Sequence, residues 1–362
     1  MKNYPMVKLG DVCEKGSSSI AQKDIELNEG EYPIYGASGK IKNVDFFKQD
    51  KEYIAIVKDG AGIGRTMLLP AYSSVIGTMQ YILPKENVLA KYLYHAITAM
   101  NLEKYFSGAT IPHIYFKDYK NEKMPLPNKQ TQAEIVKLFD KIIASISKRK
   151  EQLVKLDELA KSRFIEMFGD VKNQKYVFLS RYAEFSSGYS FKTECFQKDG
   201  VPIIRISNIN GDKVTVDNVV YYSNSFWDKN PSFRVNKYDI LIAMSGATTG
   251  KTGMFLSDTH ALLNQRVAII KPTLNCSTKE FLLVFTKMES FLEQIKLYSA
   301  GCAQPNISIK QLKNIKIPYA SIEQQHNFSL FIQQLDKSKF RIKKSLEKLE
   351  MTYKALLQEY FG

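Results

Sequence analysis

The chain has 362 residues, 44% apolar and 24% charged, with 21 Phe and 21 Tyr, a length and composition that predict two to three domains with ordinary cores and argue against intrinsic disorder. Lys and Arg outnumber Asp and Glu by 51 to 37, a formal charge of +14 at pH 7, which suits a polyanionic partner. No apolar run approaches a membrane span, the N-terminus lacks a secretory apolar core, and Cys13, Cys195, Cys276 and Cys302 are widely spaced with no Cys-x-x-Cys pair, so the expectation is a soluble cytoplasmic protein without a disulfide framework or structural zinc.

In chain order, a first globular part over residues 1–126 reads as mixed α and β. Tyr53–Val57 is a short β-branched run, followed by the glycine-rich turn Asp59-Gly60-Ala61-Gly62-Ile63-Gly64-Arg65-Thr66 and by an amphipathic helix over Leu89–Met100. Residues 127–169 read as one long helix. Ile135, Phe139, Ile142, Ile146, Arg149, Leu153, Leu156, Ala160, Arg163 and Met167 step alternately by four and three, the period of a coiled-coil seam. A second globular part, 170–319, contains the strands Asp239–Ala243 and Arg266–Ile270, a turn Ser245-Gly246-Ala247-Thr248-Thr249-Gly250-Lys251-Thr252, and a helical stretch Thr278–Tyr298. A second long helix, 320–362, repeats the seam with Phe328, Ile332, Leu335, Lys339, Ile342, Leu346, Leu349, Tyr353, Leu356 and Tyr360.

The chain is therefore written twice. Residues 108–169 align without a gap onto 301–362 at a constant offset of 193, with Pro112, Ile114, Lys117, Lys120, Asn121, Lys123, Pro125 and Gln132 recurring as Pro305, Ile307, Lys310, Lys313, Asn314, Lys316, Pro318 and Gln325. The globular parts agree far less well than these tails. One element keeps a shared job while the other has diverged. The fold class expected is α+β, two mixed α/β domains in tandem, each followed by a long helix. A shared seam register favours the two helices pairing with each other.

Several enzymatic readings fail on spacing. The turn at Ser245–Thr252 has three residues between its glycines where a phosphate-binding loop needs four, and its counterpart carries Arg65 in place of the Lys. Asn230-Pro231-Ser232-Phe233 lacks the second Pro of the motif with which amino-methyltransferases hold a flipped base, and lies about 170 residues from the nearest candidate cofactor turn in the other repeat. His113 is replaced by Asn306 in the second copy, so a duplicated metal site is not expected. No catalytic residue and no metal site is assigned, and a binding protein fits better than an enzyme.

With Gly301-Cys302-Ala303-Gln304-Pro305-Asn306-Ile307 running into Leu312-Lys313-Asn314-Ile315-Lys316-Ile317-Pro318, then Ile322-Glu323-Gln324-Gln325 and the helix, the chain resembles the specificity subunit of type I restriction–modification systems. The first copy, Gly108-Ala109-Thr110-Ile111-Pro112-His113-Ile114 followed by Met124-Pro125-Leu126-Pro127 and Gln130-Thr131-Gln132, departs only slightly, and the resemblance covers nearly the whole chain. It implies two target-recognition domains, each reading one half of a bipartite DNA site, separated by an antiparallel coiled-coil spacer with pseudo-twofold symmetry. It further implies a non-catalytic subunit that recruits two methyltransferase subunits, which carry S-adenosylmethionine, and two restriction subunits, which use ATP and Mg. A self-contained DNA adenine methyltransferase or fused restriction enzyme is the alternative. The spacer seam is expected at Ile142, Ile146, Leu153, Leu156, Leu335, Ile342, Leu346 and Leu349. Candidate DNA contacts are polar residues near turns: Lys40, Arg65, Thr66, Arg205, Asn208, Lys251, Thr252 and Arg266. Lys251 and Arg65, at equivalent turns, are expected to grip phosphate. Gln80-Tyr81 aligns with Gln265-Arg266, which leaves Arg266 without a basic counterpart and makes it the better base reader.

Overall fold

A computed structural model describes residues 4–108, 112–169, 175–211, 213–300 and 304–362. Within the recurrent segment, 109–111 and 301–303, including Gly301 and Cys302, lie outside the described residues. The chain forms two compact units, one of residues 1–150 with 343–362, the other of residues 151–342. Each therefore contains one head, half of each long helix, and nothing else.

The head of the first unit is built on a four-stranded sheet in the order Cys13–Ser17, Met79–Pro84, Tyr53–Val57, Thr66–Leu69. Tyr53–Val57 is apolar at every position because both of its faces are covered: Ile54 and Ile56 join the core shared with the helices, while Tyr53, Ala55 and Val57 face a second apolar cluster. A three-stranded sheet (Gly39–Val44, Tyr32–Gly36, Ser74–Val75) lies alongside, and the ribbon of Met6–Lys8 with Lys123–Pro125 closes the head at the foot of the long helix.

The second unit repeats this plan. Ala183–Ser187, Val267–Pro272, Ile240–Ala243 and Thr252–Phe255 occupy the same order, extended by Lys213–Val214 and Ile209–Asn210 to six strands. Ile240 and Ile242 face one core, Leu241 and Ala243 the other. The ribbon is Tyr176–Phe178 with Lys316–Pro318. The expected single helix over Thr278–Tyr298 is two, Lys279–Phe285 and Glu289–Ser299. Phe285 and Phe291 are both fully buried and 5.4 Å apart, yet six residues along one straight helix would point them about 120° apart. The break at Thr286–Met288 brings both into the core.

The long helices run Lys129–Phe168 and Ile322–Phe361, and within each unit they pair antiparallel. In the first, Phe139 meets Tyr353 and Tyr360, while further along Lys150 pairs with Glu350 at 3.2 Å. In the second, Phe164 meets Phe328 and Lys339 pairs with Asp157. The seam residues Ile142, Ile146, Leu153, Leu156, Ile342, Leu346 and Leu349 are half-buried and Leu335 is buried, as expected where only two helices cover one another. Toward the heads a second row is buried as well, including Phe164, Phe168, Leu357 and Phe361.

Two features fasten head to helices in the same way in both units. Gln132, fully buried, accepts from Leu89 N at 2.9 Å and donates to Asn87 O and Pro127 O at 3.0 and 2.9 Å. Gln325, equally buried, accepts from Thr278 N at 3.1 Å and donates to Cys276 O and Ala320 O at 3.2 and 3.1 Å. A glutamine is required because one side chain must serve an orphan helix N–H and two carbonyls at once. Secondly, each head helix receives the last phenylalanine of the other repeat's helix: Tyr92 meets Phe361 at 5.1 Å, and Phe281 meets Phe168 at 4.9 Å.

Candidate nucleic-acid interface

In both heads the glycine-rich turn joins two antiparallel strands of the main sheet. Gly60, Gly62 and Gly64 have φ of 80°, 89° and 77°, and Gly246 and Gly250 have 82° and 85°, values that favour glycine. Three matched hydrogen bonds hold each turn against the recurrent segment and the neighbouring strand. Gly60 N donates to Pro112 O and Gly246 N to Pro305 O, both at 2.9 Å; Ile114 N donates to Lys58 O at 3.0 Å and Ile307 N to Met244 O at 2.9 Å. Lys58 N donates to Thr78 O at 3.0 Å and Met244 N to Arg266 O at 2.9 Å. Recurrence of Pro112-x-Ile114 as Pro305-x-Ile307 thus has a structural reason: these residues carry the turn.

The last pair of bonds corrects the alignment of the strands. Thr78, not Tyr81, is the equivalent of Arg266, and Gly77 that of Gln265. Gln80 and Tyr81 are buried and occupied, Gln80 with the Tyr119 hydroxyl and Tyr81 with Val75 N. Arg266 still lacks a basic counterpart.

Of the predicted residues, Arg65 lies against the hairpin that carries Lys40 in the first unit. Arg65 Nη1 donates to Ala37 O at 2.8 Å, at the tip of the hairpin whose second strand begins Gly39-Lys40, and both side chains are exposed. The Thr66 hydroxyl turns back to Gly64 O at 3.2 Å. Gly62, Gly64, Arg65, Thr66, Thr98 and Asn101 line a hollow of about 370 Å³ beside this turn.

The corresponding hollow in the second unit, about 350 Å³, is more strongly basic. Lys251 lines it with Lys161, Lys287 and Lys339 from neighbouring elements, opposed by Asp157. Thr252 is buried and its hydroxyl is shared with that of Thr286 at 2.9 Å, so it shapes the wall and Lys251 supplies the charge. Arg205 and Asn208 form a local unit: Asn208 is buried, its Oδ1 accepting from Arg205 N at 3.0 Å and its Nδ2 donating to Asp217 O at 3.0 Å. Both ends of that amide hold the loop. Arg205 Nη2 reaches Asn218 O at 3.4 Å.

Arg266 lies elsewhere, exposed on a separate cleft of about 390 Å³ lined by Met244, Ser245, Gln265, Gln304, Pro305 and Asn306. Sequence reasoning missed Gln265, Gln304 and Asn306 as site residues. The signal was available, since Gln304 and Asn306 flank the proline of the recurrent segment.

The Cys13 thiol is pushed up to about 12 by burial, and burial holds His95 down at about 4. Among the described residues no three His, Cys, Asp or Glu side chains group to hold a metal ion, and no described helix is long and apolar enough to cross a membrane.

The family profile described as Type I restriction modification DNA specificity domain matches residues 1–156 and 172–351. The chain is 26% identical over 392 aligned positions to the type I restriction enzyme MjaVIII specificity subunit of Methanocaldococcus jannaschii, covering 98% of this chain and 91% of that protein. It is 23% identical to the EcoBI specificity subunit of Escherichia coli, over 68% of this chain and 58% of the relative. Among solved structures, the S subunit of a type I restriction–modification system from M. genitalium superposes with a TM-score of 0.55 at 19% identity, covering 99% of this chain and 96% of that one. A chain from a structure describing complex assembly and conformational transition of the type I R-M system gives 0.56 at 17%, covering 100% and 98%. These last two likenesses concern the fold. With the family profile spanning both repeats, the chain belongs to the type I restriction–modification DNA specificity family.

Proposed function

We propose that this chain is the DNA-recognition subunit of a type I restriction–modification complex. Residues 1–126 and 170–319 act as target-recognition domains, each reading one half of a bipartite double-stranded site, and the helices 127–169 and 320–362 set the half-site spacing. The chain is non-catalytic. Methyl transfer belongs to two methyltransferase subunits using S-adenosylmethionine, and cleavage to two restriction subunits using ATP and Mg, all in the cytoplasm.

The observation that carries this reading is the pairing of a duplicated backbone frame with unlike side chains. Both heads hold the same turn by the same hydrogen bonds, yet present Asp59 and Thr78 in one and Ser245 and Arg266 in the other. Two readers of different half-sites on one scaffold need that combination. A basic hollow beside Lys251 supports phosphate contact, which positions without specifying. Exposed apolar residues on the helices, including Val154, Leu159, Ile165, Leu330 and Phe340, support docking of the methyltransferase subunits there.

The test is an exchange of residues 170–319 for the matching part of a relative, followed by mapping of methylated sites in cells. One half of the modified motif should change and the other persist. An exchange that alters both halves, or neither, refutes independent reading. Methyl transfer by the purified chain alone would refute the non-catalytic assignment.

A further inference from the structure

Resting on that reading, we infer that the cleft formed by Ser245, Gln265, Arg266, Gln304 and Asn306 is the base-reading site of the second head, with Arg266 directed at a guanine. The equivalent position of the first head reads a different base through Asp59 and His113. Four observations converge on this.

The cleft is polar, and its polar groups are uncommitted. Arg266, Gln265, Gln304 and Asn306 are exposed, and among the described residues none of their side chains has a hydrogen-bond or ion-pair partner. The Ser245 hydroxyl is buried in the cleft wall and is likewise without a partner. Arginine, two glutamines and an asparagine on one concavity supply the groups that pair with base edges, the guanidinium with guanine O6 and N7 and the amides with adenine N6 and N7.

The cleft is also rigid where it must be. The backbones of Ser245, Arg266 and Asn306 are pinned by the Met244–Arg266, Gly246–Pro305 and Ile307–Met244 hydrogen bonds. The Thr249 hydroxyl adds a fourth tie to Pro305 O at 3.1 Å, and Arg266 N donates to Asn264 Oδ1 at 3.2 Å. Side chains on a fixed frame discriminate by geometry rather than by adapting to any base.

It stands apart from the Lys251 hollow, with which it shares no lining residue. Gripping and reading are therefore carried by different surfaces of one turn: Lys251 at its far end, Ser245 at its start.

Finally, the frame is conserved between the heads while its chemistry is inverted. Where the second head has Ser245, Asn306 and Arg266, the first has Asp59, His113 and Thr78 on the same hydrogen bonds. Asp59 is engaged by His113 Nδ1 and lies 3.6 Å from Lys58 Nζ, and the carboxylate's remaining lone pairs are what it offers a base. A carboxylate accepts from an exocyclic amine such as cytosine N4 and rejects the acceptor edge of guanine. The two sites select opposite base edges.

The experiment uses the whole chain assembled with its methyltransferase subunits, bound to duplexes carrying the motif established by methylation mapping. Each guanine in turn is replaced by 7-deazaguanine, which lacks the N7 acceptor. Wild type should lose roughly tenfold to a hundredfold in affinity at one guanine of one half-site, and Arg266→Ala should be insensitive to that replacement while keeping its preference in the other half. Gln304→Ala should relax an adjacent position, and Asp59→Asn the other half-site only. If Arg266→Ala weakens all duplexes equally and stays sensitive to 7-deazaguanine, the cleft is not a reading site although the protein remains a specificity subunit. If the wild-type complex shows no sequence preference on any duplex, the functional reading itself fails.

Discussion

Replacing Gln325 with Met keeps the volume and removes every polar contact of the most deeply buried amide in the second unit. Thr278 N and the carbonyls of Cys276 and Ala320 would each lose a partner. An abandoned buried polar group costs about 1–3 kcal/mol; Ala320 O keeps the Tyr182 hydroxyl at 2.8 Å and Cys276 is exposed, so that its carbonyl can reach solvent, and the expected loss is about 2–4 kcal/mol. That is a large fraction of the about 5–15 kcal/mol by which a domain is stable. The only tryptophan, Trp227, is buried in the head of the same unit, so its fluorescence follows unfolding there. With a urea slope of about 2–3 kcal/mol per molar, the midpoint should fall by about 1–2 M. Gln325→Glu, which retains the acceptor but puts a carboxylate against two carbonyls, should be no better. A midpoint shift below about 0.3 M for Gln325→Met would show that the amide merely fills space, and that the matching bonds of Gln132 are not the reason both copies carry glutamine.

Ile142→Asp or Leu349→Asp places a charge in the half-buried seam of the first unit and should cost about 1–3 kcal/mol, read as lost helical circular dichroism on mild heating; unchanged melting would refute the paired seam. Lys251→Ala should weaken binding about equally on matched and mismatched duplexes and flatten the log–log salt dependence by roughly one unit, the counterion of one phosphate contact; a change confined to the matched duplex would make Lys251 a reader. His95, packed against Phe139 and Tyr353 and facing Asp140 and Lys91, is held at about 4 against an ordinary 6.5. The unfolded chain therefore binds the extra proton first, and up to about 3 kcal/mol of stability, intact above pH 6.5, should drain away as pH falls from 6.5 to 4. His95→Gln should remove that part of the slope, and an identical pH profile would refute the assignment. Gly250→Ala meets both a φ of 85° and Ile295 Cγ2 at 2.8 Å from the added Cβ, and should cost about 1–3 kcal/mol by the same tryptophan signal.

Periodicity alone was enough to read the long helices, because a seam of half-covered residues every three or four positions is the direct imprint of one helix on another. The strands Tyr53–Val57 and Ile240–Ala243 were legible for a similar reason: burial on both faces leaves no polar position. Failures arose where tertiary contacts override local pattern. The break at Thr286–Met288 is set by where Phe285 and Phe291 must point, which no helical period records. Pairing Gln80 with Gln265 rests on identity of letters, whereas the ladder and the Thr78 and Arg266 carbonyls fix the register three residues away. Asn208 reads as a polar residue near a turn, and only its burial and its two bonds to Arg205 N and Asp217 O show that it holds the loop. Gln304 and Asn306 escaped because Ile111 and His113 stand at their positions in the first copy, so recurrence does not mark them.

The division of the helices between units carries a consequence for synthesis. The second unit is contiguous, residues 151–342, while the first is completed only by residues 343–362. At about 5–20 residues per second, some 10–40 s separate emergence of Lys150 from arrival of the segment that brings Tyr353, Leu357 and Phe361 onto Tyr92, His95 and Phe139. During that interval the first head presents an uncovered aromatic face, and the second unit receives its last residue, Ile342, before the first receives its completing segment. The order of completion is thereby reversed with respect to the order of translation, and a chain cut short before residue 343 would carry a finished second unit and an open first one.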